Sequence, residues 1–531
     1  MIHRGRIPRI LAPVGGGALV ALSLPPFGWW PLAFAGVALV AWALRDRSLG
    51  GRAATGLLAG IGQFSVGLAW ADKFTLLGYA GLVVLHSAIF AVACALAPPG
   101  PLRVPALAAL LTLAEWVRER WPFGGVPPGG IALGQVDGPL VGTARIGGTV
   151  LLVAVTYLGG VALAELAMTW LRRRQPHRQA WRRELVGACL SLTAVIALGA
   201  WGALAADGGP PVGTLRVAIV QGGGRRGLSD LQIPPSVVYA AALRTTMAVR
   251  PPVDLVLWPE DIVALSQPLK ASPESAQLSE IARRLHTTLV VGVTQTVGAT
   301  RFRNEIVAYA PSGAVVSVFE KVHRVPFGEY VPWRTFFSHL ANLQAVPRDA
   351  IVGHGSGMMA TPAGRVAVLV SYEVFFPDRG RSGVRAGGQL ILVPTNTSSY
   401  SSEQAPAQEI AASRLQAIEE GRDLLQAAPT GYSAVVDSRG DVLQRTQLSV
   451  SAVLRATVPM RDGETLYTRY GDAPTIIVVL CAALAGWMLA IEERRREKPR
   501  SLRNATDRLD SVKRPRALSR KEASETLIEG L

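Results

Sequence analysis

Eight apolar runs of near-spanning length, drawn at roughly 8–25, 28–44, 53–71, 76–97, 104–117, 146–170, 186–205 and 473–491, constrain this chain more than any other feature. About twenty consecutive apolar residues carry a helix across a bilayer's hydrocarbon core. Residues 1–206 therefore read as a seven-span membrane domain and 471–493 as an eighth span, with 207–470 left between them as a domain of its own. Pro25-Pro26-Phe27-Gly28 splits the first two runs, with Trp29 and Trp30 beside the break. That is the composition of a tight turn in the interfacial aromatic belt.

The net charge of +16, from 54 Lys+Arg against 38 Asp+Glu, would by itself allow nucleic acid or an anionic membrane surface as a partner. Position decides for the membrane. Arg4, Arg6 and Arg9 place the N-terminus in the cytoplasm, and alternate counting then puts Arg45, Arg47, Arg52, Arg103, the 172–183 cluster and Arg494 to Arg500 on that same side. Arg118 and Arg120 break the pattern. The same count sets 207–470 on the extracytoplasmic face of the cell membrane and both termini inside. Residues 494–531, with twelve Lys/Arg between Arg494 and Lys521, read as a disordered basic tail that could bind anionic lipid or dock a cytoplasmic protein. It lacks the interleaved aromatics of a nucleic-acid binder.

The 207–470 segment changes character to short β-rich runs, at 215–220, 255–257, 289–293, 366–370 and 390–393, between helical patterns at 274–286 and 405–425. Strands this continuously apolar are covered on both faces, which predicts an α/β layered domain. Cys94, Cys189 and Cys481 all lie in apolar runs, so the domain has no disulfide, no cysteine metal site and no thiol nucleophile. The histidine spacings match no metal motif. No Walker A motif is present, and no cofactor is expected.

Three strand ends carry reactive residues: Trp258-Pro-Glu260, Lys321-Val-His-Arg-Val-Pro-Phe-Gly-Glu329, and Val370-Ser371-Tyr372-Glu373. A carboxylate, an amine and a hydroxyl gathered at one sheet edge could serve as base, cationic stabiliser and nucleophile. Lys321 stands out because the chain uses 48 Arg and six Lys, and only Lys270 and Lys321 fall in this domain. An ammonium is a compact point charge that guanidinium does not replace.

These segments resemble the nitrilase-type (carbon-nitrogen hydrolase) domain of apolipoprotein N-acyltransferases, and the Lys321 segment is the specific one. Leu24-Pro-Pro-Phe-Gly-Trp-Trp-Pro-Leu32 and Glu115-Trp-Val-Arg-Glu-Arg-Trp-Pro-Phe-Gly-Gly125 are similar to that family's membrane half, which would make Arg118 and Arg120 features of an outer interface. The resemblance covers about residues 10–491. It implies a polytopic α-helical membrane domain of eight spans joined to an extracytoplasmic α-β-β-α sandwich. The implied activity is transfer of an acyl chain from a membrane phospholipid to the α-amino group of a lipoprotein's diacylglyceryl-cysteine, through a covalent acyl-enzyme. It further implies Glu260 as base, Lys321 as oxyanion stabiliser and position 371 as nucleophile, with Glu329, Tyr372, Glu373, Asn304 and Asn396 in support. Some such enzymes pair with a polyprenol-phosphate mannose synthase, which offers a partner for this chain.

The family nucleophile is cysteine, and here position 371 is serine. A thiol with a pKa of about 8.5 is partly ionised near neutrality, whereas an alcohol depends on its base. Ser371 is open to three accounts: a natural nucleophile of a divergent branch, an engineered trap, or the mark of lost catalysis. Two further functions stand beside acyl transfer, a catalytically silent membrane scaffold for lipoproteins or a glycolipid-synthesis partner, and a membrane-tethered amidase. A Ser371-His323-acid triad is a lesser alternative, since Val-Ser-Tyr-Glu is not the Gly-x-Ser-x-Gly elbow.

Overall fold

A computed structural model describes residues 7–99, 102–172, 180–227, 233–339, 343 and 346–513. Seven helices precede the sheet domain: α1 Ile7–Ser23, α2 Pro31–Ala43, α3 Leu49–Gly67, α4 Leu76–Ala95, α5 Arg103–Arg118, α6 Ala144–Arg172 and α7 Ala180–Leu204. In the sheet domain follow α8 Pro235–Thr246, α9 Pro273–Leu285, α10 Arg334–Phe337, α11 Pro377–Arg385, α12 Gln404–Glu420 and α13 Leu466–Tyr470, and α14 Ala473–Lys513 closes the chain. Each of the eight expected runs thus contains a helix. Among the described residues four of these are long and apolar enough to cross a membrane, in α4, α6, α7 and α14.

Local chemistry moves the boundaries. The third run was expected from 53, but the Ser48 hydroxyl accepts from Gly51 N at 3.3 Å and starts α3 four residues earlier, while the helix stops at Gly67. The basic tail is helical rather than disordered as far as Lys513, because α14 carries its backbone ladder on from the apolar run. The rest of the tail, and Arg173 to Arg178 of the second basic cluster, lie outside the described residues. Arg118 also differs from expectation. It is fully buried rather than interfacial, ion-paired to Glu115, and donates to the carbonyls of Val126, Pro127 and Pro128. An Arg this deep is tolerated only when its donors are met in this way.

The strands are β1 Pro211–Gln221, β2 Leu255–Leu257, β3 Val263–Leu265, β4 Thr288–Val297, β5 Arg301–Tyr309, β6 Val315–Glu320, β7 Asp349–Ala350, β8 Met358–Thr361, β9 Gly364–Val368, β10 Leu390–Pro394, β11 Leu424–Ala427, β12 Ala434–Val436, β13 Val442–Arg445 and β14 Ala452–Arg461. They form two mixed sheets. One runs β14-β1-β2-β4-β5-β6, with β3 added to β4 and β7 to β5, and the other runs β13-β12-β11-β10-β9-β8. Side-chain alternation builds the layers. Val217 and Ile219 of β1 pack with Val366, Val368 and Leu392 between the sheets, while Ala218 and Val220 pack outward with Trp258, Leu278 and Ile281 under the α9 layer. Residues α11 and α12 contribute cover the other sheet, giving four layers, α-β-β-α. Because β1 pairs with β14 from Pro211↔Arg461 onward, the chain comes in from α7 and departs toward α14 at the same sheet edge.

The layer containing α12 is unusual. Its Ile410, Ala411 and Leu415 belong to the same apolar cluster as Leu24, Phe64 and Leu133 of the helical half. Gln404 donates to Val66 O at 2.7 Å and Gln408 to Gly67 O at 2.9 Å, and Thr149 of α6 is bonded to Glu419. The helix is thus clamped between its own sheet and the membrane helices.

Candidate active site

Glu260 follows the short buried strand β2, where Trp258 N donates to Val290 O at 2.8 Å and carries the turn across β4. The crossing needs glycine at position 292. A Cβ there would stand 2.5 Å from Glu260 Cα and 2.7 Å from Asp261 N, contacts that only a backbone shift could relieve. We expect Gly292→Ala to lower turnover at this site by about 10- to 30-fold and to cost about 1–3 kcal/mol of stability by overpacking, read by activity and thermal unfolding of the same preparation.

Lys321 extends the β5–β6 pairing by one step, its backbone N–H donating to Asn304 O at 2.9 Å. Its ammonium is buried, with Nζ 2.9 Å from Glu260 Oε1 and 2.7 Å from Glu329 Oε1. Burial opposes the charge, but these two carboxylates outweigh it and hold the amine above the ordinary lysine range. Asn304 Nδ2 bridges the same two oxygens at 2.8 and 3.2 Å. Among the described residues every hydrogen bond of Glu260 falls on Oε1, which leaves Oε2 as the oxygen offered to a proton. Glu329 Oε2 instead accepts from Val325 N at 2.9 Å and shapes its own loop.

Ser371 opens a 3₁₀ turn, Ser371–Phe375, just past β9, and its φ of 52° is left-handed. A non-glycine residue held there stores about 1–3 kcal/mol and sits at a sharp strand-to-turn bend. Glu373 fixes the bend. One oxygen accepts from Val370 N at 2.8 Å, and the other from Val322 N and His323 N at 2.9 and 3.0 Å. The serine turn and the lysine loop are therefore tied through a single carboxylate. His323 lies stacked on Phe376 with ring centroids 4.3 Å apart, and its Nε2 faces Asp378 at 3.9 Å. That placement gives the triad alternative no Ser371–His323 bond among the described residues. Asn396 Oδ1 accepts from Ser398 N at 3.1 Å and holds the following turn.

The site faces the membrane helices. Tyr372 OH donates to Gly125 O at 2.9 Å and Tyr330 OH to Phe123 O at 2.9 Å, both in the loop after α5. Tyr400 packs edge-on against Trp70 and Phe74 in the α3–α4 connection, each at 5.2 Å. Two functional candidates were not singled out in the sequence, Thr395 and Glu409. Thr395 Oγ1 donates to Ser371 Oγ at 3.2 Å and is also bonded to Glu409 Oε1. A carboxylate amid the small and apolar residues of 405–418 was the available signal.

Comparison with known proteins agrees in both halves. Residues 16–162 match the apolipoprotein N-acyltransferase N-terminal domain and residues 213–466 the carbon-nitrogen hydrolase domain. The chain is 29% identical to the apolipoprotein N-acyltransferase of Mycolicibacterium smegmatis, over 94% of this chain and 88% of that one. It is 29% identical to that of Bradyrhizobium diazoefficiens, over 90% and 94%. With the Azotobacter vinelandii enzyme the identity is 30% over 94% of this chain and 98% of the relative. By descent along nearly its whole length, then, this chain belongs to the apolipoprotein N-acyltransferase family.

Proposed function

We propose that the protein is a membrane-embedded acyltransferase that N-acylates lipoproteins in two steps. Ser371 Oγ attacks a phospholipid ester carbonyl, its proton passes to Glu260 Oε2, and the Lys321 ammonium stabilises the tetrahedral oxyanion. Collapse releases lysophospholipid, which takes the proton back, and leaves an ester on Ser371. The α-amine of a diacylglyceryl-cysteine then attacks that ester, gives its proton to Glu260, and leaves as the amide while Ser371 Oγ is reprotonated. Exchanging an ester for an amide is downhill, so no nucleotide is required.

The observation that carries this reading is that the Ser371 turn is bonded, through Tyr372 and Gly125, to a loop of the membrane helices. A site on that seam can draw acyl chains sideways from lipid. Glu329, Asn304 and Glu373 would hold the base, the amine and the two loops in register, and Asn396 would shape the far wall. In a cell the catalytic half would lie outside the cytoplasmic membrane with both termini inside, as the Arg45, Arg52 and Arg103 positions favour. Domain limits of 1–206, 207–470, 471–493 and 494–531 fit this arrangement. The three relatives compared above are each named apolipoprotein N-acyltransferase, which favours acyl transfer over a silent scaffold or an amidase.

The test is reconstitution in phospholipid vesicles with a diacylglyceryl lipopeptide bearing a free α-amine. Mass spectrometry should show a third acyl chain on the peptide and an equal amount of lysophospholipid. Peptide left unmodified, with free fatty acid released instead, would identify a hydrolase.

A further inference from the structure

We infer that Glu409 is a positioning residue: as a carboxylic acid it locks the Thr395 hydroxyl so that its one hydrogen points at Ser371 Oγ. The inference rests on Ser371 being the nucleophile. Thr395 Oγ1 meets two oxygens, Ser371 Oγ at 3.2 Å and Glu409 Oε1. A hydroxyl has a single hydrogen and cannot donate to both. With that hydrogen given to Ser371, the contact with Glu409 is made by a proton on the carboxyl. All three side chains are buried, and the second carboxyl oxygen accepts from Gln426 Nε2 at 3.4 Å, so no water is needed to complete the chain.

The surroundings keep the acid neutral. Burial is the main cause, pushing Glu409 up to about 8, with Glu260 adding to the rise while the Thr395 bond and Lys321 oppose it. The half-buried Tyr400 also faces it, its phenol pushed up by desolvation and by Glu409 and so neutral. The consequence falls on the atom where this chain differs from its family. A donor aimed at Ser371 Oγ stabilises charge on that oxygen both as it attacks and as it leaves, which an alcohol needs more than a thiol. Ser371's own hydrogen is then not engaged by Thr395.

The experiment uses the full chain in vesicles. Thr395→Val should lower kcat about 10- to 100-fold, and Thr395→Ser should restore it. Glu409→Ala should lower kcat about tenfold, with Glu409→Gln recovering the larger part, because an amide still donates to Thr395. Wild-type kcat should fall as pH rises through about 8, where the carboxylate becomes acceptor-only and turns the Thr395 hydrogen away, and this alkaline loss should vanish in Glu409→Gln. In a Ser371→Cys background the Thr395→Val effect should shrink to a few-fold. An unchanged alkaline loss in Glu409→Gln, or full turnover in Thr395→Val, overturns the proposal. Full turnover in Ser371→Ala would instead overturn the nucleophile assignment beneath it.

Discussion

Ser371→Ala loses acyl transfer by at least about 10⁴-fold, without loss of fold. Removing the attacking atom of a covalent mechanism costs far more than removing a helper, because every downstream interaction acts on an intermediate that no longer forms. The left-handed φ of 52° is equally strained with alanine, so thermal unfolding should move little. The direct readout is the enzyme itself. Incubated with phospholipid and no acceptor, the natural chain should gain the mass of one acyl ester on the Ser371 peptide, and the alanine form none. Ser371→Cys should gain a thioester, and its rate should climb with pH toward the thiol range of about 8.5. Acylation of the alanine form elsewhere in the chain would end the assignment.

Lys321→Met has the second-largest effect and strikes both activity and stability. The ammonium sits within 3 Å of the buried Glu260 and the half-buried Glu329, and its removal leaves the two carboxylates sharing a poorly solvated space without a cation. Breaking a buried pair costs about 3–5 kcal/mol, and loss of the oxyanion stabiliser should cut kcat by about 10³-fold or more. The variant can escape part of the cost by keeping a proton on one carboxyl. That carboxyl's pKa then lies higher in the folded than in the unfolded chain, so its contribution to stability is whole in acid and is lost as pH rises through the folded value. The unfolding midpoint of Lys321→Met should therefore fall, relative to the natural protein, as pH rises from acid through neutrality. A parallel shift at all pH values would show that the two carboxylates do not share the lost charge.

How far the sequence carried these conclusions depended on where each residue's neighbours lie along the chain. Glu260, Lys321 and Ser371 stand in short motifs at strand ends, where local pattern singled them out, and the family resemblance added Glu329 and Glu373. The helical runs were equally plain, since hydropathy is summed over many residues, though a single cap at Ser48 moved a boundary that no window average could see. Arg118 misled because charge next to an apolar run ordinarily means an interface, and only the carbonyls of 126–128 folding back over it explain its burial. Thr395 and Glu409 stayed hidden for a related reason. They come together with Ser371 only after β10 is laid beside β9 and α12 is packed against the Ser371 turn, β11 and β12, a conjunction that spacing does not encode.

The clamped helix α12 carries a consequence for anyone wishing to handle the sheet half alone. Its Ile410, Ala411 and Leu415 share one apolar cluster with the bundle, and Gln404 and Gln408 have their amides spoken for by Val66 and Gly67. Excised in water, that fragment would present a greasy scar beside its own reaction centre and would stick to itself or to detergent. The bilayer-borne helices are thus one wall of the chemistry, and not merely its anchor.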